Sequence, residues 1–361
     1  MKILITTGGT GGHIYPALAL ADYINEHYDN VDFMFVGNSD RMEKDIIPEH
    51  GYRFLGIDAA KFNSAGNKLK SLKTLYKSYK MCLQIVDDYK PDVVVGFGSY
   101  VTVPVMMAAV KLKIKTVIHE QNSYAGMANK MLGHFVDKVV TVYENVNGSF
   151  PARKTVCLGN PRESSVLGLL RDRELLREYG LEPSKQTLLI VMGSLGSQTV
   201  NDRMIDILNG LRGKNYNVLY VTGKSNYADF IKRFDSVDNI VVRSYIDQFK
   251  VASVSDLVVS RGGATSACEY MALGTPTIIV PSPYVTNNHQ YFNAKSMADR
   301  GACRIIEEKD LSAETLIPQV DELMNDAMKL QEMSRSAASM SHPYAARDIS
   351  ELIMKLVGEK R

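Results

Sequence analysis

Short apolar runs rich in Val and Ile alternate along this chain with longer segments of helical period. In the first half the runs are Lys2–Thr7, Phe33–Gly37, Phe54–Ile57, Val93–Phe97, Thr116–His119 and Lys138–Val142. In the second half they are Thr187–Met192, Asn217–Thr222, Ile240–Ser244, Leu257–Ser260, Pro276–Val280 and Arg304–Glu307. Runs that are apolar throughout, with helices between them, suit parallel strands covered on both faces. Two such series predict an α/β protein of two doubly wound, Rossmann-like domains facing across a cleft. The halves echo each other. Each opens with a strand that runs into a glycine-rich turn and then a helix, at Gly8–His13 and again at Gly193–Ser197. A turn-forming Gly159-Asn160-Pro161 follows a short strand and places the divide, giving domains at 1–160 and 161–340. The last segment, 341–361, carries a helix over Tyr344–Val357 after a His342-Pro343 break, and it could pack on either domain, the N-terminal one included.

Composition narrows the classes. The 361 residues suit two ordinary domains, and 45% hydrophobic with 23% charged residues is a globular balance. A formal net charge of +2 supplies no global basic field, so no nucleic-acid partner is expected. Cys82, Cys157, Cys268 and Cys303 lie far apart, with neither disulfide nor zinc-ligand spacing, and read as reduced thiols of a cytosolic protein. The N-terminus is too short of apolar residues for a signal segment, and no run approaches the ~18 residues of a spanning helix. Any work on membranes is expected from outside them.

Three loops have the form of a phosphate cradle, with glycines after a strand and a helix N-terminus beyond: residues 8–13, 193–197 and Arg261–Thr265. A dinucleotide site is disfavoured because the second strand, Phe33–Val36, runs into Gly37-Asn38 and lacks the acidic residue that would hold a ribose. A P-loop is disfavoured because Val218 stands where the first glycine should precede Gly223-Lys224-Ser225. In the third loop Glu269 lies about 7.5 Å of helix rise beyond Ala264. A carboxylate there could hold ribose hydroxyls while the helix start holds a diphosphate, or it could simply stabilise the helix start. No Asp-x-Asp occurs anywhere in the chain. Charge on a leaving diphosphate would then fall to N–H groups, the helix dipole, hydroxyls or Arg, and neither a metal nor a cofactor is expected.

The run Gly8-Gly9-Thr10-Gly11-Gly12-His13-Ile14-Tyr15-Pro16-Ala17 resembles the N-terminal signature of the MurG family. Further likeness lies in Arg41-Met42-Glu43, Lys90–Val94, His119-Glu120-Gln121-Asn122, Gly159-Asn160-Pro161, Ser260–Glu269 and Gln290–Ala294, in family order from residue 3 to about 300. The resemblance implies a GT-B architecture and transfer of N-acetylglucosamine from UDP-N-acetylglucosamine to an undecaprenyl-diphosphate-linked muramyl-pentapeptide, at the cytoplasmic face of the membrane. It implies acceptor contacts at Thr10, Gly11 and Gly12 in the first domain, with Asn122 reaching the sugar. Donor contacts are implied at Ser194, at Ala264, Thr265, Ser266, Ala267, Cys268 and Glu269, and at the backbone of Ile246 for uracil. Gln290 would read sugar hydroxyls, and Arg162 would join the donor site, although it follows Pro161 directly where members commonly place one residue between.

An inverting displacement needs a base beside the acceptor hydroxyl. His13 is the candidate, since imidazole takes a proton near neutral pH; its other reading is to orient the loop. Glu120 is the rival base, and His119 and Glu120 also read as structural. The segment Lys68–Asp88 reads as an amphipathic helix with Lys70, Lys73, Lys77 and Lys80 beside an apolar stripe, which suits either an anionic membrane surface or a solvated outer face. Two other function classes share the architecture: a UDP-sugar epimerase and a non-catalytic UDP-sugar-binding protein.

Overall fold

A computed structural model describes every residue except 59–67, 145, 147, 194–196, 236 and 360–361, and it leaves out the side chains of 68–73 and 75. It divides into two compact units, Met1–Ser165 with His342–Arg361 and Val166–Ser341. In chain order the first holds β1 (Lys2–Thr6), α1 (Gly11–His27), β2 (Asp32–Asn38), α2 (Glu43–Glu49), β3 (Arg53–Ile57), α3 (Lys68–Tyr89), β4 (Val93–Gly96), α4 (Thr102–Lys111), β5 (Lys115–Glu120), α5 (Met127–Leu132), β6 (Lys138–Thr141) and β7 (Thr155–Cys157). The second holds α6 (Leu175–Glu178), β8 (Thr187–Val191), α7 (Gln198–Gly210), β9 (Asn217–Val221), α8 (Tyr227–Phe230), β10 (Ile240–Arg243), α9 (Gln248–Ala252), β11 (Leu257–Ser260), α10 (Ala264–Leu273), β12 (Thr277–Ile279), α11 (His289–Ala298), β13 (Cys303–Ile305), α12 (Ala313–Met324) and α13 (Ala327–Ser339). The chain then returns to the first unit with α14 (Ala345–Gly358).

Both sheets are parallel throughout. Their strand orders are β3-β2-β1-β4-β5-β6-β7 and β10-β9-β8-β11-β12-β13. Each therefore grows outward in one direction from its first strand and reverses at the fourth, so the loops after β1 and β4, and after β8 and β11, diverge at a topological switch point. Side-chain alternation feeds two cores per sheet. Ile3 and Ile5 enter a layer with Ile14, Leu18 and Ile24 of α1, while Leu4 enters the opposite layer with Val86, Val94 and Met106. In the second unit Leu188 and Ile190 pack with Met204 and Ile207, and Leu189 and Val191 with Val251 and Tyr270.

The expected strands all occur, and several pair for one residue less at the carboxyl end. Phe97, Val142, Met192, Thr222 and Val280 lie just past their ladders yet are buried. An apolar run reports burial, and the first loop residue beyond these strands is as enclosed as the strand itself. The destination of the last helix is now settled by its own stripe. Ile349, Ile353 and Leu356 recur at helical spacing and join the layer that contains α1.

The two chain crossings meet at one carboxylate. Glu163 is fully buried; its Oε1 accepts from the Asn160 backbone N–H at 2.7 Å and its Oε2 accepts from the N–H of His342. Beside it, Ser164 Oγ accepts from Ala346 N at 2.9 Å. Gly159 has φ +82°, and a Cβ there would stand 2.3 Å from the Cβ of His342, so only glycine permits this approach. Burial pushes the Glu163 carboxyl up to about 7, against the lowering effect of its two backbone donors. A carboxyl raised in the folded state favours folding while protonated and loses that contribution as pH climbs from its ordinary value through about 7. The stability of the wild type relative to Glu163→Gln is therefore expected to fall between about pH 5 and pH 7.5 in thermal unfolding, and a difference that stays constant across that window refutes the assignment.

Candidate functional site

The first glycine turn, between β1 and α1, is shaped from below by α2. Glu43, fully buried, accepts from Gly9 N at 3.2 Å, from Asn38 N at 2.9 Å and from Asn38 Nδ2 at 2.6 Å. A Cβ on Gly8 would stand 2.3 Å from Glu43 Oε1, so the turn and the carboxylate fit only without a side chain there. Thr10 is exposed at the cap position of α1, and Gly11, Gly12 and His13 follow half-buried in its first turn. Thr10 Oγ1 and His13 Nδ1 lie 3.1 Å apart. The His13 ring rests against the turn after β4, where a Cβ on Gly98 would come within 3.2 Å of Nε2. The loops of the switch point thus meet around the imidazole.

The expected rival base has a different setting. Glu120, at the end of β5, is buried and brackets the following loop. Its Oε1 accepts from the backbone N–H of Asn122 at 3.0 Å and from Asn122 Nδ2 at 3.1 Å; its Oε2 accepts from Gly126 N at 3.0 Å and Asn129 Nδ2 at 2.9 Å. Burial raises its pKa, opposed by these same bonds. Four donors on two oxygens leave this carboxylate holding a loop, poorly placed to take a proton from an incoming hydroxyl. His119 is likewise internal. Burial depresses its pKa to about 4, and its Nε2–H donates to the carbonyl of Gly159 at 3.0 Å, which makes it a neutral structural imidazole. Asn122 is half-buried and oriented by Glu120. Arg162 donates its backbone N–H to Asn160 Oδ1 at 3.0 Å, in the turn where the chain leaves this unit.

In the second unit the loop after β11 leads directly into α10. The cap position is Gly263, which offers no side chain, so the first turn presents N–H groups for which the helix itself has no acceptors. Ala264, Thr265 and Ser266 form that turn. The next residues are more enclosed: the Ala267 N–H is taken by Gly263 O at 2.9 Å, and the Ala267 and Cys268 side chains are wholly buried. Glu269 is buried further along the helix, at 7% exposure. Ser266 Oγ accepts from Gln248 Nε2 at 3.1 Å, and Gln248 Nε2 also donates to Tyr270 OH at 3.0 Å, tying α10 to the turn that carries Ile246. The Ile246 side chain is buried while neighbouring Tyr245 is exposed. Gln290 stands at the start of α11, with Oε1 accepting from Ser282 N at 2.9 Å. A Cβ on Gly262 would come within 2.3 Å of the Gln290 carbonyl oxygen, so glycine alone lets these loops touch. Ser194 lies outside the described residues.

Within the first unit the structure gathers His13 with Thr10 and the Gly98 turn; within the second it gathers 264–266 with Ile246 and Gln290 around neighbouring loops. Sequence reading noted Glu43 only as part of the Arg41-Met42-Glu43 likeness. Its task is invisible there, because the N–H it serves belongs to Gly9, 34 positions earlier.

Residues 3–141 match the glycosyltransferase family 28 N-terminal domain, and residues 187–349 match the glycosyltransferase family 28 C-terminal domain. A relative from Bacillus cytotoxicus, 40% identical across 99% of this chain and 100% of its own length, is a UDP-N-acetylglucosamine–N-acetylmuramyl-(pentapeptide) pyrophosphoryl-undecaprenol N-acetylglucosamine transferase. Among solved structures, MurG of Acinetobacter baumannii is similar at TM-score 0.80 and 26% identity, over 98% of this chain and 99% of that one. A UDP-GlcNAc 2-epimerase from Neisseria meningitidis shares the fold at TM-score 0.69, with 13% identity over 98% of this chain and 100% of that one. With both family 28 domains matched and 40% identity from end to end, the chain belongs to glycosyltransferase family 28 and, within it, to the MurG transferases.

Proposed function

We propose that this chain transfers N-acetylglucosamine from UDP-N-acetylglucosamine to the muramyl-pentapeptide carried on undecaprenyl diphosphate, by a single inverting displacement that uses no metal. The observation behind this reading is the end-to-end identity with a transferase of that name, which spans the first glycine turn and the start of α10 alike. The epimerase alternative has a likeness of fold alone behind it.

In this reading the first unit, Met1–Ser165 with His342–Arg361, binds acceptor and the second, Val166–Ser341, binds donor. Thr10, Gly11 and Gly12 line the acceptor side, and His13 is the base. With Nδ1–H donating to Thr10 Oγ1, 3.1 Å away, Nε2 carries the lone pair that takes the proton of the acceptor hydroxyl. That oxygen bonds to the anomeric carbon as the bond to UDP breaks, inverting the centre. Negative charge grows on the departing diphosphate and is met by the N–H groups and dipole at the start of α10, with Ser194 joining from the turn after β8. Glu269 holds the ribose, the Ile246 backbone reads uracil, and Gln290, with Asn122 and Arg162, reads the sugar and its diphosphate. Glu120 serves by keeping Asn122 in place.

The protein would reach its lipid acceptor as a peripheral protein on the cytoplasmic face. Among the described residues no helix is long and apolar enough to cross a membrane. Tyr76 and Met81 of α3 are exposed beside Lys77 and Lys80, and Lys80 Nζ lies 5.0 Å from the Tyr76 ring centre. Met127 and Met131 of α5 and nearby Phe135 are exposed too, and α4 packs against both helices. An apolar ridge flanked by cations suits an anionic surface. The side chains of Lys70 and Lys73 lie outside the described residues.

Two measurements test this. Labelled sugar should pass from UDP-N-acetylglucosamine to the lipid-linked muramyl-peptide with EDTA present, and His13→Ala should lower kcat by about a hundredfold to ten-thousandfold. Donor epimerised without transfer, or transfer abolished by EDTA, overturns the corresponding part. For the membrane, each cation at an anionic surface contributes roughly 1 kcal/mol, so Lys77→Gln with Lys80→Gln should weaken binding to vesicles rich in phosphatidylserine by about thirtyfold. Unchanged vesicle binding by sedimentation removes α3 from the contact.

A further inference from the structure

At the carboxyl end of the second sheet lies a buried ion pair between Arg261 and Glu308. Arg261 follows β11, and Glu308 opens a short 3-10 turn, Glu308–Asp310, after β13. Their side chains are 10% and 7% exposed, and Arg261 Nη1 stands 2.6 Å from Glu308 Oε2. The same Nη1 donates to the carbonyl of Val280, just past β12, at 3.2 Å. The Arg261 stem also approaches Gly193, just past β8, with Cγ 4.0 Å from where a Cβ there would be. One side chain thus runs under the ends of β8, β11, β12 and β13, which are neighbours in the sheet.

Glu308 holds the other side of this junction. Its Oε1 accepts from Thr199 Oγ1, in the first turn of α7, at 3.5 Å. Its backbone carbonyl accepts from Arg203 of α7, whose Nη1 also donates to Leu311 O at 3.2 Å. The Ser197 cap of α7 makes no side-chain bond to the helix backbone; its Oγ meets Thr199 Oγ1 at 3.1 Å, so the Thr199 hydroxyl joins the cap to Glu308. One carboxylate therefore links both helices whose N-termini follow the glycine turns at 193 and 262. Ionised, it can hold the Arg261 guanidinium and the Thr199 hydroxyl together; an amide of the same shape offers one acceptor oxygen and leaves the buried guanidinium without its counter-charge.

We infer that Glu308 is a positioning residue for the donor diphosphate: acting through Arg261 and Thr199, it sets the spacing between the two phosphate-facing helix starts of the second unit. This rests on the reading of that unit as the donor-binding one. Misplacing a charge-stabilising group by about 1 Å is enough to cost tenfold or more. Glu308→Gln should raise the UDP-N-acetylglucosamine KM and the Kd for UDP by roughly tenfold, while the acceptor KM at saturating donor moves less than twofold. Glu308→Asp keeps the charge and should recover part of the loss. Arg261→Met combined with Glu308→Gln should be no weaker for UDP than Arg261→Met alone, because the second change acts through the first. UDP binding by calorimetry reads all of these without the acceptor, and circular dichroism checks folding; if the Gln variant does not fold, the Asp variant and Arg261→Met carry the comparison. An unchanged Kd for UDP in folded Glu308→Gln, or additive losses in the double variant, overturns the inference. Wild-type protein that binds no UDP overturns instead the reading of the second unit, which is a separate outcome.

Discussion

Buried carboxylates that accept several hydrogen bonds at once are the constraint on which the functional loops of this protein depend. Glu43, Glu120 and Glu163 are at most 1% exposed, and Glu308 is 7% exposed. Taking a carboxylate out of water costs several kcal/mol, and a bond to a charged group returns roughly 1.5–3 kcal/mol. One partner is therefore not enough. Glu120 has four donors and Glu43 three, drawn from backbone N–H groups and asparagine amides of nearby turns, a strand end and the start of α5. Each glutamate forces a loop of otherwise irregular backbone into one shape, because any other shape leaves the charge short of partners.

The consequence for chemistry is preorganisation. Parallel sheets send all their carboxyl-end loops to one edge, where backbone N–H groups and helix starts collect. Those loops carry few side chains able to fix themselves, since glycines at 8, 9, 98, 193 and 262 make room for close approach and left-handed turns. The same absence of side chains would leave them slack. Glu43, placed beneath Gly8 and Gly9, supplies from inside the rigidity that glycine gives up.

How much of this was legible differs by level. Strand after strand was readable, since Val and Ile runs buried on both faces have no other common home. The glycine turns and the start of α10 were readable as strand-to-helix turns, since strand, glycine and helix occur in that order within a few residues. The glutamates were not. Glu43 serves Gly9 across 34 positions, Glu163 serves His342 across 179, and Thr199 meets Glu308 across 109. A lone Glu in a sequence looks like any solvated Glu until the fold brings a donor to it. Glu120 is the same case: its motif does not show that its oxygens accept from Asn122, Gly126 and Asn129 in the fold.

The sequence by itself determined the α/β class, two doubly wound sheets, the glycine turns that lead into helices and the family, because periodicity and short motifs are local properties that need no partner to be seen. Only the tertiary structure decided where the last helix packs, which donors surround Glu120, and which acids sit beneath the loops. Those are questions of burial and of donors arriving from distant segments, and a carboxylate acquires its role only when the chain has closed around it.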